Sequence, residues 1–440
     1  MTSTLDRIER ILSRPVAKPY RSKHIAHVEP FLNAEGHLDF APDDIENPRN
    51  WSRARRGYIS FVSVLLVVNA TFASSSPSGA IAGPNGIAKE FNVSNEAAAL
   101  VVTLFLLGYC FGPLFWAPLS EFYGRRWIFY ISFTGYLAFN FLCAWAPNFG
   151  SLLVGRFLTG TFVSAPLSNA PAVMVDIWQP LERGNAMACF AMMTFIGPAI
   201  GPVISGFLEL TEDWRWGFYV LIWFGTATEL LMFTIPETYG PQILLNKAKR
   251  IRRHKIPGFE DVKAPVETSG RSLASLYKVA LTRPWIIMFD PISLLVAIYV
   301  SFVYALVYML FTIYPIVFQQ KRGWNAGLGE LPLISTVIGA LIGGAIVFRY
   351  TALDKRKILA GHERVPEDRL VIAMIGGILF PIMMFWFAWS GEYNSVHVRT
   401  QVSHTHSGQK LIFSSGPWYA SVVYFCRLQS FLFLLDTLII

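Results

Sequence analysis

Residues 194–207 read TFIGPAIGPVISGF. The run is apolar enough for a helix, yet it holds Gly197, Gly201 and Gly206 together with Pro198 and Pro202. In a water-exposed helix interior a proline costs about 3 kcal/mol and a glycine about 1 kcal/mol. The two Gly-Pro pairs lie four residues apart and therefore share one helix face. In lipid this composition is tolerated, because neighbouring helices re-satisfy the freed backbone groups. Gly197 and Gly201 then form a small-xxx-small face that lets another helix backbone approach closely.

Composition points the same way. The chain has 440 residues, 53% hydrophobic and only 15% charged, with mean hydropathy +0.42. A soluble domain of ordinary composition carries about 25% charge. The apolar residues fall into blocks near 58–76, 97–119, 127–146, 150–174, 187–208, 215–235, 285–318, 327–348 and 370–389, each long enough to cross about 30 Å of hydrocarbon. The block at 285–318 reads as one long or tilted span. The fold class is therefore an all-α polytopic membrane protein.

Basic residues cluster after alternate spans: Arg125 and Arg126 after the second, Lys247 to Lys255 after the sixth, Lys355 to Lys357 after the eighth. The opposite side is poor in basic charge and carries Glu209, Glu212 and Asp213; Lys321 and Arg322, between spans seven and eight, are the exception and weaken the pattern locally without reversing it. Counting Lys and Arg near span ends puts the N-terminus in the cytoplasm. The same bias accounts for the net charge of +8, so no nucleic-acid partner is implied. Cys110, Cys143, Cys189 and Cys426 lie in apolar blocks without ligand spacing and read as packing residues, with no metal site or disulfide framework.

The expected organisation is a polar cytoplasmic tail over 1–57, a six-span half over 58–235, a central cytoplasmic loop over 236–284, a partial second half over 285–397, and a tail over 398–440 with room for one span. Two six-helix halves joined by a central loop are one architecture of secondary transporters. Residues 112–126 and 343–357 form a faint internal repeat.

Several motifs resemble the major facilitator superfamily in its drug:proton antiporter branch. APLSEFYGRRW (117–127) resembles the loop signature between spans two and three, with Ala117 and Glu121 where the family usually has Gly and Asp. LVGRFLTG (153–160) resembles the fourth-span signature, and GPAIGPVISG (197–206) the antiporter signature of span five. VDIWQPLERG (175–184), WRWGFYV (214–220), PETYGPQIL (236–244) and PEDRL (366–370) extend the likeness to fungal multidrug and polyamine exporters. After about residue 397 the motifs stop, and VRTQVSHTHSGQK (398–410) is unlike the family.

The resemblance implies an incomplete major facilitator fold and a set of roles. Glu121, Gly124, Arg125, Arg126 and Asp176 would form a conformational latch at the inner helix ends; the bland alternative is charge anchoring with Glu121 solvated. Arg156, inside span four, would face the bundle interior and set local proton affinity, or else snorkel to the headgroups. Glu229, read from the residues alone, is a proton carrier if buried and an anchor if it snorkels. Asp290 before Pro291 reads as a helix start. Asn69, Ser74, Ser75, Tyr304 and Tyr308 are candidates for a mid-membrane substrate pocket, with packing as the alternative for each. Gly197, Pro198, Gly201, Pro202 and Gly206 would carry antiport. Asn92 in NVS is a glycosylation acceptor pattern.

No phosphate-binding loop occurs, so the expected drive is a proton gradient without a cofactor. The reading is a monomeric, proton-coupled antiporter in the lipid bilayer that exports drugs, toxins or polyamines, in the plasma membrane by preference or the vacuolar membrane. The alternatives are a truncated, non-transporting membrane protein and a nutrient symporter. An embedded enzyme ranks last, since paired histidines or acids at catalytic spacing are missing from the membrane blocks.

Overall fold

The computed structural model describes residues 30–360, apart from 34–35, 82–84, 256–258, 269, 271 and 321–322, together with 380–382, 384–385 and 389. The expected ninth span and the 398–440 tail lie outside the described residues, apart from those few positions of the span.

Ten helices of ten residues or more are described: α1 Arg53–Ser75, α2 Asn95–Tyr123, α3 Arg125–Ala144, α4 Phe149–Ile177, α5 Arg183–Leu208, α6 Arg215–Met232, α7 Gly240–Arg253, α8 Leu273–Met288, α9 Pro291–Tyr314 and α10 Ile334–Leu359. Their starts are written in short polar residues. Ser52, Ser94, Asn148, Ser272 and Asp290 each accept a backbone N–H of the first turn, which satisfies a donor that has no intrahelical partner. Among the described residues six segments have the length and hydropathy of a membrane span: Arg53–Ala80, Asn95–Tyr123, Arg125–Ala144, Arg183–Leu208, Pro291–Gln319 and Ala326–Ile358. The helices α4 and α6 fall short of that hydropathy because they carry polar and charged groups, yet they pack in the same bundle. Large apolar side chains such as Trp127, Phe141, Trp223 and Phe302 stand exposed on its outside, the surface that lipid covers.

In the first six-helix body α1 is the most enclosed span. The helix α2 lies against α4, α4 against α3, α3 against α6, and α5 against α1. The core is aromatic: Phe105, Phe129, Phe133, Tyr136 and Phe218 are buried there. The opening motif explains the α1–α5 contact. A methyl group on Gly197 would overlap Thr71 and come within 2.9 Å of the Phe72 nitrogen; one on Gly201 would overlap Ser75 and reach the Ser76 nitrogen at 2.9 Å. The partner of the small-residue face is thus α1 of the same half. Gly206, two turns on from Gly197, faces Ala326 and Glu330 of the second half instead.

The block 285–318 does not cross as one helix. It breaks at Phe289 and Asp290, where Asp290 accepts the Ser293 N–H at 3.0 Å and caps α9. Pro291 supplies no donor and disfavours helix at the residue before it, so α8 ends and α9 begins there. The central loop is also more ordered than a linker. The apolar face of α7, Leu244, Ala248 and Ile251, buries against Leu38, Val262 and Ala264. Lys247 pairs with Asp44 at 2.5 Å and Arg250 with Glu46 at 2.5 Å, so residues 38–51 are docked on the loop.

Filling the α1–α5 contact is expected to destabilise the bundle. Gly201→Val should lower the melting temperature of the purified protein by several degrees, the consequence of about 1–3 kcal/mol of overpacking. Gly57→Ala, where a methyl meets nothing within 4 Å, should leave it unchanged or slightly raised.

Candidate functional site

The bundle has two chemically distinct ends with an aromatic middle. At the basic end, α2 stops at Gly124, whose φ of +95° suits only glycine. A side chain there would also overlap the Glu237 carboxylate. Glu237 accepts the first two N–H groups of α3, from Arg125 at 3.0 Å and Arg126 at 3.2 Å, as well as those of Thr238 and Tyr239. An acid at a helix N-terminus is favoured by the unpaired donors and the helix dipole.

The Arg125 side chain turns inward and is buried. It donates to Ser120 Oγ at 2.5 Å and Asn169 Oδ1 at 3.3 Å, lies 3.6 Å from Asp176 Oδ2, and stacks over Tyr239. One guanidinium therefore joins α2, α3, α4 and the start of the central loop. Arg126 donates to Tyr130 OH, which donates to the Phe233 carbonyl behind α6. Beside them Glu182 pairs with Arg53 at 3.1 Å and Arg56 at 3.3 Å, with Arg56 stacked on Trp178.

Gly124, Arg125, Arg126 and Asp176 are thus brought together, and Glu121 is not. It is exposed and makes no ion pair among the described residues. It sits four residues before α3 begins, and its side chain leaves the bundle. The acid at the helix start is Glu237, on a motif read from sequence as family likeness only; its place follows from the chain returning from α6 to the end of α2, a contact no local pattern reveals.

In the middle of the bundle Arg156 is fully buried. Its Nη2 donates to the Ala73 carbonyl at 2.9 Å and its Nε to the Val101 carbonyl at 3.0 Å, and its guanidinium lies 4.2 Å over the Phe105 ring. Pro77 stands four residues after Ala73 and has no N–H, so the carbonyl that Arg156 fills is one the helix leaves open. Arg156 does not snorkel. Among the described residues its Nη1 has no hydrogen-bond partner, nor does the buried Tyr109 OH.

Tyr308 of α9 reaches Ser74 of α1 with a 2.9 Å hydrogen bond that joins the two halves. One turn away Tyr304 packs on Phe195 of α5, ring centres 5.9 Å apart. Tyr109 stacks on Phe105 and lies within electrostatic reach of both tyrosines. A cleft of about 490 Å³, its open side included, runs beside this group between Phe195, Pro198, Leu306, Phe311, Thr336 and Phe380.

Ser74, Tyr304 and Tyr308 therefore converge. Asn69 and Ser75 do not join them. Asn69 donates to Thr228 Oγ1 at 2.7 Å between α1 and α6, and Ser75 is packed under Gly201. Successive positions along α1 face different neighbours, and the polar pattern alone did not separate them. Glu229 lies away from the middle, half-buried on the α3–α6 face, where Thr134 donates to it at 2.5 Å. Asn92 is exposed at the acidic end, with φ +51°. At that end Arg215 holds Glu90 at 2.7 Å and keeps its carboxyl below the ordinary range.

The Major Facilitator Superfamily profile matches residues 63–430, a stretch that includes the polar segment after 397. An efflux pump of Gibberella moniliformis, FUB11, is 41% identical over 367 residues, covering 82% of this chain and 60% of that protein. The MFS-type transporter oryN of Aspergillus oryzae is 38% identical, covering 80% and 69%. The multidrug transporter mdrA of Aspergillus fumigatus is 36% identical, covering 81% and 58%. The chain spans about three-fifths of the length of the first of these relatives. The E. coli proton:xylose symporter XylE shares the fold, with a TM-score of 0.53 at 16% identity over 88% of this chain and 80% of that one. With its multi-pass helices, its profile match over most of the sequence and relatives above one-third identity, this chain belongs to the Major Facilitator Superfamily, a family of carriers rather than enzymes.

Proposed function

We propose that the protein is a proton-coupled antiporter that exports small organic molecules by alternating access. The observation that carries this reading is the contact between halves in mid-bundle: the Ser74–Tyr308 hydrogen bond, with Tyr304, Phe195 and Tyr109 around it and buried donors on Arg156 and Tyr109 left open. Aromatic walls with a few buried donors suit planar, moderately hydrophobic cargo, held by stacking and one or two hydrogen bonds. Relatives named as efflux pumps and multidrug transporters support export as the direction. The basic end is the cytoplasmic one by the distribution of Lys and Arg. The plasma membrane, a monomeric carrier and a glycan on Asn92 complete the reading.

The Arg125–Asp176 pair and the Glu237 cap act as the latch that fixes the inner ends of α2, α3, α4 and α6 in one arrangement. The open Arg156 donor sets the proton affinity of neighbouring polar groups and orders water between the halves.

In sealed vesicles of cells producing the protein, export of a fluorescent aromatic dye is expected to stop when a protonophore collapses the gradient. Dye retention that is unchanged by the protonophore, with the protein present and folded, would refute the proton drive. Tyr308→Phe keeps the ring and loses the bond to Ser74. The hydroxyl is also a group that cargo takes in exchange for Ser74, so its loss should raise KM roughly tenfold, the value of about 1–1.5 kcal/mol for one hydrogen bond. The lost Ser74 bond should lower Tm by a few degrees. At the latch, Glu237→Gln should lower transport and thermal stability together, by about 1–2 kcal/mol for a weakened helix cap. Glu121→Gln should change stability by less than about 0.5 kcal/mol, as expected for an exposed site.

A further inference from the structure

At the acidic end the two halves meet through a pair of glutamates. Gly206 of α5 packs on the turn that precedes α10: a methyl group there would lie 2.9 Å from the Ala326 carbonyl oxygen and 3.0 Å from Glu330 Cγ. A methyl on Gly327 would in turn press into the Phe207 ring, 2.6 Å from Cδ1. Glu209 follows Gly206 by three residues and so shares its face, at the last turn of α5. Both acids are buried, Glu209 at 5% and Glu330 at 1% exposure. Glu209 Oε1 and Glu330 Oε2 have no hydrogen-bond partner, and no ion pair reaches either residue among the described residues. Only Gln319 Nε2 approaches, 3.5 Å from Glu330 Oε1.

Two buried carboxylates within electrostatic reach of each other oppose each other's ionisation where no cation pairs with them; Lys321 and Arg322, close after Gln319 in sequence, lie outside the described residues. The surrounding charges add to this constraint. Asp213 lines the same small pocket as Glu209, beside Ser76, Ser205 and Trp214. Glu212 lies within the same turn, and Arg215 is engaged by Glu90. Burial pushes the Glu209 carboxyl up to about 7. We propose that Glu209 and Glu330 form a proton-binding site that locks the acidic ends of the two halves together, a proton on one carboxyl relieving the repulsion between the buried acids.

The sign follows from burial. Parting the halves hydrates both acids and returns them towards ordinary values near 4, so the closed arrangement binds the proton more tightly than the open one. Closure is strongest at low pH. It weakens as pH rises from the ordinary carboxylate range towards about 7 and is weakest above that. The pair is a lock at the face opposite the latch and rests on the alternating-access reading for its role, although its proton binding does not.

The test uses the full chain in lipid nanodiscs, with the four native cysteines replaced by alanine and spin labels at Leu210 and Leu328, both exposed near the pair. The distance between labels is expected to lengthen between about pH 5 and about pH 8. Glu209→Gln with Glu330→Gln mimics the protonated pair and should hold the short distance across that range. Glu330→Asp, which keeps the acid, should retain the response with a shifted midpoint. A parent distance that ignores pH, or a double variant that responds like the parent, overturns the proposal. Difference infrared spectra give a second reading: the protonated carboxyl band of the parent should be lost in each Gln variant, and a band that survives both also overturns it. Dye export by the parent in vesicles separates the readings, since export that stops with a protonophore while the distance ignores pH leaves the antiporter standing and removes the lock.

Discussion

The arrangement of the first six helices depends on one buried cation. A guanidinium in an apolar bundle costs about 2.5–3.5 kcal/mol on an insertion scale and is sustained only by acceptors that the helices do not already use. Pro77 creates one by withholding its N–H from Ala73, and Arg156 takes it. Val101 gives a second carbonyl on another helix, and Phe105 lays a ring face against the charge. Arg156 therefore ties α4 to α1 and α2 at a single depth. Among the described residues the charge pairs with no carboxylate, so it stays a donor with one arm unspent beside the tyrosine that joins the halves.

From that point the chemistry separates by depth. The basic end is built of ion pairs and a capped helix start, both short-range and demanding in geometry: Arg125 is buried, and removing one partner of a buried pair commonly costs 3–5 kcal/mol. The middle is aromatic and hydrogen-bonded through single hydroxyls, which are cheap to exchange for a ligand's groups. The acidic end joins the halves through close backbone approach and two acids. Strong fixed contacts within one half, and weak exchangeable ones between halves, are the distribution that the proposed alternating access requires.

Much of this was legible in the residues. The spans were readable because membrane helices need about 20 apolar residues, and Asp290 as a helix start because the family it resembles commonly has an acid before a proline there. Arg156 was readable because a charge inside such a block has few places to go. What remained hidden was pairing at a distance. Glu121 looked like the latch acid from its spacing to Arg125, yet Glu237, more than a hundred residues on, occupies that place. Asn69 and Ser74 both look like pocket residues on α1, and only the packing of α6 against one and α9 against the other separates them. Glu330 carried no signal at all, because its burial comes from Gly206 on the opposite half.

The helix α5 shows how one short motif serves both bodies. Its first two glycines press on α1 so closely that neither can carry a side chain, which makes α5 part of the first half. Three residues beyond Gly206, the same helix ends in a buried acid against the other half. The prolines contribute by subtraction, since Pro198 and Pro202 leave the carbonyls of residues 194 and 198 without their usual donors. The glycines of TFIGPAIGPVISGF thus serve both contacts: Gly197 and Gly201 hold α5 against α1, and Gly206 sets the close approach of its far end to the other half.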